Sequence, residues 1–482
     1  MDKLLRIHPN DNVAVALEDI KSNEETIKRG HKMALCDIKT GEQIIKYGHS
    51  IGHASCDIKK GSWVHSHNMV TNLSAGLSYV YEPYSVNLSE IPAAKFMGYK
   101  RPDNRVGIRN ELWIIPLVGC VNDVCKEIES RSKAIALEYG LDGVYHFPHP
   151  YGCSQLGDDM KDTRTILSDL CKHPNAGAVL CVALGCENNT LEEFKAELGT
   201  EYNDKIRFMV CQDESDELET AAKLVEELCE YASKFKRTQC DASDLVIGLK
   251  CGGSDGLSGI TANPTVGRFS DKLVAMGGTT ILTEIPEMFG AETDLLNRCK
   301  TKELFDKASK MINDFKDYFI SHGQPVGENP SPGNKEGGIT TLEDKSSGCV
   351  QKGGIANVNG VLFYGERAAN KGLNMLCAPG NDLVSSTALA AAGAQIVLFT
   401  TGRGTPFSAP VPTIKISTNN ELYNKKQNWI DINSGEIAEG KDIDLVAEEL
   451  FNYVINVASG NKTKSERNNQ HGLAIWKNGV TL

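Results

Sequence analysis

Between Leu245 and Gly267 the sequence LVIGLKCGGSDGLSGITANPTVG sets a lysine, a cysteine and a glycine pair at the end of an apolar run. β-Branched and aliphatic residues bounded by glycine read as a parallel strand, and Thr261-Ala262-Asn263-Pro264 reads as a helix start with proline in its first turn. In the loop between them, Gly252 and Gly253 let backbone N–H groups converge into an anion-binding nest. Lys250 adds positive charge, and Cys251 adds a soft metal ligand or nucleophile. That inventory suits a carboxylate substrate beside a metal. The same letters also describe a glycine-rich turn with a buried thiol.

Other cysteines fall at similar places. Strand-length apolar runs end at Cys120 (LWIIPLVGC), Cys153 (VYHFPHPYGC), Cys186 (AVLCVALGC) and Cys211 (RFMVC). The carboxyl ends of strands in an open parallel sheet share one edge, where ligands bind, so Cys120, Cys153, Cys186 and Cys251 are expected to converge there as metal ligands. Cys125, Cys171, Cys229 and Cys299 lie within helical patterns and read as inert core thiols. The histidines concentrate early, at His8, His31, His49, His53, His65 and His67. His65 and His67 are two apart in WVHSHN and share one face if that stretch is a strand, which suits ligand binding and equally an exposed strand face. Glu187 and Glu284 are possible acid, base or ligand groups. Lys335 and Arg403, the latter in TGRGTP, supply cations for a carboxylate, Arg403 bidentately.

The elements that must position these groups follow from the patterning. Residues 1–83 alternate short apolar stretches with closely spaced glycines, which predicts a small β-rich domain. Residues 84–100 carry proline and no periodicity and read as a linker. From there strands and helices alternate, predicting two α/β domains at 101–240 and 241–482 with largely parallel sheets covered on both faces. Strands are expected near 279–285, 361–364 and 395–400, and helices near 302–320 and 442–458. The glycine- and proline-rich stretch between about 322 and 360 reads as a long loop of the kind used as a lid, a binding loop or a disordered insertion.

Bulk properties narrow the function. The chain has 482 residues, 40% hydrophobic and 24% charged, as expected of a folded multidomain protein. A net charge of −12 argues against a nucleic-acid partner or an anionic membrane surface. No apolar stretch approaches the ~18 residues of a membrane span, and the first residues lack a signal-peptide core, so a cytoplasmic location is expected. The fifteen cysteines then read as thiols, not a disulfide frame. Dinucleotide, P-loop, HExxH and GxSxG motifs are all missing, which removes most of the weight from nucleotide and serine-hydrolase chemistries.

Taken together, RIHPNDNVAVAL, GHKMAL, VHSHN, VGIRNELWIIPLVGCVN, YGCSQLGDD, ALGCENN, CGGSDGLSGITANP, TEIPEMFGAE, NPSPGNKEGGITTLEDKS and TGRGTP closely resemble the altronate dehydratase type of the altronate/galactarate dehydratase family. Galactarate dehydratase and the sulfolactate sulfo-lyases look like more distant relatives. The resemblance runs over nearly the whole chain. It implies an N-terminal SAF-type domain, an α/β body, and dehydration of D-altronate to 2-dehydro-3-deoxy-D-gluconate in hexuronate catabolism, with Fe(II) or Mn(II). The His65-Ser66-His67-Asn68 stretch looks like the altronate type, which suggests substrate recognition for His65 and His67.

Such a dehydration removes the proton at C2, α to a carboxylate, and expels the C3 hydroxyl. The enediolate formed needs a cation on its oxygens, and the base must be neutral near pH 7, which favours histidine. His31 is therefore the expected base or acid, with His8 as its partner. Lys250, Asn263, Lys335 and Arg403 join His65 and His67 as expected substrate contacts. Thiolates suit iron better than manganese, and three or four of them could instead hold an iron–sulfur cluster. A small sugar acid is the expected partner, and a homo-oligomer, taken as a dimer, the expected assembly. Competing readings are a lyase for galactarate or another hydroxy acid, and a non-catalytic carboxylate- or metal-binding protein.

Overall fold

The computed structural model describes residues 3–73, 78–202 and 204–481. In the N-terminal module, Val13–Ala16 lies between Leu4–Leu5 and Lys32–Ala34, and Lys32–Ala34 pairs onward with Trp63–Val64. A second antiparallel sheet joins Gln43–Lys46, His49–Ala54 and Met69–Val70. Side chains of alternating parity turn inward from both sheets, and Val13, Ala34, Ile44, Ile51, Val64 and Met69 close a small core.

The segment read as a linker ends in the strand Lys95–Lys100. It pairs antiparallel with Val106–Gly107 on one side and Thr238–Asp241 on the other, tying together the two ends of the first α/β unit. That unit has four parallel strands in the order Gly143–His146, Glu111–Pro116, Ala176–Ala183, Ile206–Val210. Along Glu111–Pro116, Leu112 and Ile114 face the helices Asn122–Glu138 and Glu217–Ser233, while Trp113 and Ile115 face Asp158–Cys171. Every residue of the strand is buried, which is why it reads as a continuous apolar run and not an alternating one.

The C-terminal unit is a seven-stranded, wholly parallel sheet. Its order is Val358–Leu362, Gly372–Leu376, Thr279–Leu282, Val246–Cys251, Ile396–Thr401, Thr413–Ser417, Ile432–Asn433. The helices Asp158–Cys171 and Asp382–Ala391 fill the space between the two sheets, so Leu167, Leu170, Leu389 and Ile281 belong to one continuous core. The fold is thus an α/β body of parallel sheets preceded by a β-rich module. No helix among the described residues is long and apolar enough to cross a membrane.

The long loop expected at 322–360 is corrected. It contains the helices Pro332–Glu336 and Leu342–Cys349, the second buried at every position. Thr341 caps that helix by accepting from Asp344 N. The helix has no apolar stripe because it is enclosed on all sides by other elements, so periodicity gives no sign of it.

Candidate active site

Chain order within the larger sheet fixes where a ligand can enter. From Val246–Cys251 the chain passes through helix Ala262–Ala275 to Thr279–Leu282 on one side, whereas Ile396–Thr401, the neighbour on the other side, leads away toward Thr413–Ser417. Connections that diverge from two adjacent strands leave a crevice at their carboxyl ends. Here it is bordered by the loops after Cys251 and Thr401. The loops are pinned together, with Gly252 N donating to Thr400 O at 2.9 Å and Gly402 N donating to Gly253 O at 3.0 Å.

Residue parity sends Lys250 and Cys251 to opposite faces of the central strand. Lys250 Nζ donates to Asp382 Oδ1 at 2.8 Å, to the Cys251 carbonyl at 2.6 Å, and to Glu284. Cys251 Sγ lies 3.4 Å from Cys349 Sγ and 3.2 Å from Glu287 Oε2, and Cys349 Sγ lies 3.4 Å from the same oxygen. Cys251, Glu287 and Cys349 are the group of ligand atoms, among the described residues, that lie within 4.8 Å of one another as a metal ion requires. Lys352 Nζ reaches Cys251 Sγ at 2.9 Å, and Lys345 Nζ reaches Glu287 Oε1 at 2.6 Å. Burial opposes ionisation of Glu287, but the ammoniums of Lys345, Lys250 and Lys352 outweigh it and bring the carboxyl down to about 2. The contact with Cys349, and then burial, push the Cys251 thiol well above its ordinary value. Cys251 therefore keeps its proton without a cation; a divalent ion would convert ligating thiols to thiolates, whose charge the adjacent lysines offset. The donor set of two sulfurs and one carboxylate fits such an ion.

Beside this group opens a cleft of about 520 Å³, bordered by Gly252, Gly253, Glu287, Asn329, Lys345 and Asp382. The N-terminal module docks at the same crevice. A Cβ on Gly256 would sit 1.8 Å from Gly30 O, so the approach of these two turns requires glycine. Lys32 Nζ donates to Gly338 O at 2.7 Å and to Asp344 at 2.7 Å, and Lys46 Nζ reaches the other Asp344 oxygen at 2.9 Å. Burial lowers Lys32 to about 8 although Asp344 opposes it, because one carboxylate serves two enclosed ammoniums.

Docking brings His31 and His65 onto the end of helix Pro332–Glu336. The rings stack at 5.4 Å; His31 Nε2 contacts Glu336 O at 3.1 Å and His65 Nε2 contacts Lys335 O at 2.9 Å. Trp63 Nε1 donates to His31 Nδ1 at 3.1 Å, which fixes His31 as the tautomer carrying its proton on Nε2. Burial lowers His31 to about 4, so it is neutral at pH 7.

The remaining sequence-predicted residues divide. His67 is exposed and packs on Trp63 at 5.1 Å; Arg403, at the crevice rim, donates to Glu336 Oε2 at 3.1 Å; Lys335 is half-buried on the same helix end. His8 is exposed, its Nδ1 accepting from Asn10 N at 3.1 Å within its own turn. Lys250, expected as a substrate clamp, is buried with its charge committed to two carboxylates. Asn263 is likewise enclosed, bonded to Gly348 O at 3.0 Å and Thr400 Oγ1 at 2.7 Å. Cys120, Cys153 and Cys186 lie exposed at the edge of the smaller sheet, outside the group around Cys251. The sequence reading did not find Cys349, Glu287, Lys345 or Lys352; three sit on the buried segment that lacks a pattern, and Glu287 follows a strand end like many acids.

Fold and site together define an α/β enzyme body with a candidate sulfur–oxygen metal group, closed by a β-rich module. Residues 2–72 match the altronate/galactarate dehydratase SAF domain, 98–233 the D-galactarate dehydratase/altronate hydrolase second domain, and 242–481 the D-galactarate/altronate dehydratase C-terminal domain. The chain is 50% identical to the altronate dehydratase of Escherichia coli (strain K12) over 99% of each chain, and 51% identical to that of Bacillus subtilis (strain 168) over 100% of each. It is 33% identical to the galactarate dehydratase (L-threo-forming) of E. coli (strain K12), over 95% of this chain and 93% of that one. The chain belongs to the altronate/galactarate dehydratase family.

Proposed function

We propose that this chain is a hydro-lyase that converts D-altronate to 2-dehydro-3-deoxy-D-gluconate and water. The observation that carries the reading is identity at half of all positions, over whole chains, with two altronate dehydratases, against a third with the galactarate enzyme. Cys251, Glu287 and Cys349 would hold a divalent ion, Fe(II) in preference to Mn(II) because two of the three donors are sulfur. When bound, such an ion polarises substrate oxygens and takes up the negative charge that develops on them.

The chain's own residues supply the rest. Lys335 and Arg403 at the cleft rim attract the sugar-acid carboxylate, while Lys345 stays paired with Glu287. His31, kept neutral by burial, takes the C2 proton through Nδ1 once Trp63 releases that lone pair; His65 and His67 contact the hydroxyls. The C2–H electron pair passes onto the carboxylate oxygens as an enediolate and returns to form the C2–C3 double bond as the C3–O bond breaks; the proton taken by His31 leaves with the hydroxide as water, and the resulting enol becomes the C2 ketone. Exposure and a local hydrogen bond leave His8 without a part in this scheme. The purified protein supplied anaerobically with Fe(II) is expected to form keto-deoxy acid from D-altronate faster than from galactarate. Turnover of galactarate with none of altronate would overturn the reading.

A further inference from the structure

The smaller sheet has a switch-point crevice of its own. Glu111–Pro116 leads to Gly143–His146 on one side, while its other neighbour, Ala176–Ala183, leads away to Ile206–Val210. The loops bordering that crevice carry Cys120 and Cys186, and the Cys153 loop folds across it. A Cβ on Gly152 would lie 2.2 Å from Leu117 O, and Gly119 N donates to Tyr151 O at 2.8 Å. Cys153 Sγ touches Asn188 Oδ1, two residues beyond Cys186, at 3.2 Å, and Asn189 N donates to Gly152 O at 2.9 Å. Each of the three cysteines follows a glycine, and all three are exposed, whereas the other cysteines of the α/β body are buried or half-buried.

We propose that Cys120, Cys153 and Cys186 hold an iron–sulfur cluster at this crevice, a centre separate from Cys251, Glu287 and Cys349. Three thiols round one crevice suit a soft iron centre. A cluster takes one thiolate per iron, so three cysteines on separate loops of one crevice match a polynuclear centre. Three thiolates leave one cluster position to an oxygen ligand, such as a hydroxy acid. The crevice is also near the cleft. Trp476 borders the cleft and Thr481 bridges to Gln155; five residue steps separate Trp476 from Thr481, at most about 18 Å of chain.

The inference concerns the content of the centre and stands apart from the identity of the substrate, so failure to dehydrate altronate and failure to bind a cluster are separate results. The test is iron and acid-labile sulfide in the full chain purified anaerobically from iron-replete cells, with alkylation mapped residue by residue. Expected are iron and sulfide in comparable amounts, loss of sulfide in Cys120→Ser, Cys153→Ser and Cys186→Ser, and retention in Cys251→Ser. In the unmodified protein those three thiols should be protected until the iron is chelated, while exposed Cys36 and Cys56 label throughout. This arm does not depend on any variant folding. Sulfide at background, sulfide kept in the triple variant, or immediate labelling of the three thiols would each overturn the proposal.

Discussion

At the scale of single residues, the protonation of buried groups is the main content of the site. His31 is held neutral by burial, with its proton placed on Nε2 by the indole donor at Nδ1. His31→Ala is expected to slow product formation by a factor of order 10² or more, while His8→Ala leaves it within a few-fold, measured as kcat on D-altronate. Burial also holds His149 and His471 at about 4. A histidine with a depressed folded pKa stays neutral while the unfolded chain takes up a proton, so stability is full above the unfolded value near 6.5 and falls as pH drops toward about 4. Calorimetric midpoints should therefore decline between pH 7 and pH 4.5, before the paired carboxylates begin to titrate. A flat profile over that window would mean that these rings take up protons at the same pH folded and unfolded, or that buried carboxyls with raised values, Glu111 at about 8 and Asp169 at about 7, offset them. Histidine types and positions were legible in the sequence; which ring is enclosed was not, because it depends on the helix end that another domain brings to it.

At the scale of elements, the N-terminal module is fastened to the body through helix Leu342–Cys349. Asp344 meets Lys32 and Lys46 from the module, while Lys345 and Cys349 on the same helix reach the metal group. Asp344→Asn leaves two enclosed ammoniums with no counter-charge and should cost about 3–5 kcal/mol; urea unfolding of that variant measures it. Replacing Lys32, Lys46 and Asp344 together by apolar residues should recover much of the loss, since the penalty comes from stranded charge. The strands before Cys120 and Cys186 and the one ending at Cys251 were visible as apolar runs and appear at Glu111–Pro116, Ala176–Ala183 and Val246–Cys251; the helices near 302–320 and 442–458 appear at Lys302–Ser321 and Ile443–Ala458. Helix Leu342–Cys349 was not, because a segment buried on every face carries no apolar stripe.

At the scale of the whole molecule, the N-terminal module and the C-terminal unit meet at one crevice, so ligand occupancy and global stability are linked. A divalent ion at about one hundred times its Kd stabilises the folded state by about 2.7 kcal/mol. Chelation of the purified protein should accordingly lower its thermal midpoint, Fe(II) should restore it more fully than Mn(II), and Cys349→Ser should weaken the response. An unchanged midpoint in Cys349→Ser with full recovery by Fe(II) would remove that sulfur from the ligand set. The net charge of −12 means that the substrate anion is drawn by local lysines and arginines against the field of the molecule as a whole.

The sequence alone determined the parallel α/β body, the β-rich beginning, the family motifs and the placing of thiols at strand ends, because these follow from periodicities of two and 3.6 residues and from glycine at turns. Tertiary structure decided which of those thiols share a site. Cys251 ends a strand of one sheet and Cys120, Cys153 and Cys186 follow strands of another, a division that no linear pattern records. Cys349 and Glu287 became neighbours of Cys251 through packing between remote segments. Lys250 was taken from the substrate by Asp382 and Glu284, since a cation enclosed in a protein core must find its counter-charge there.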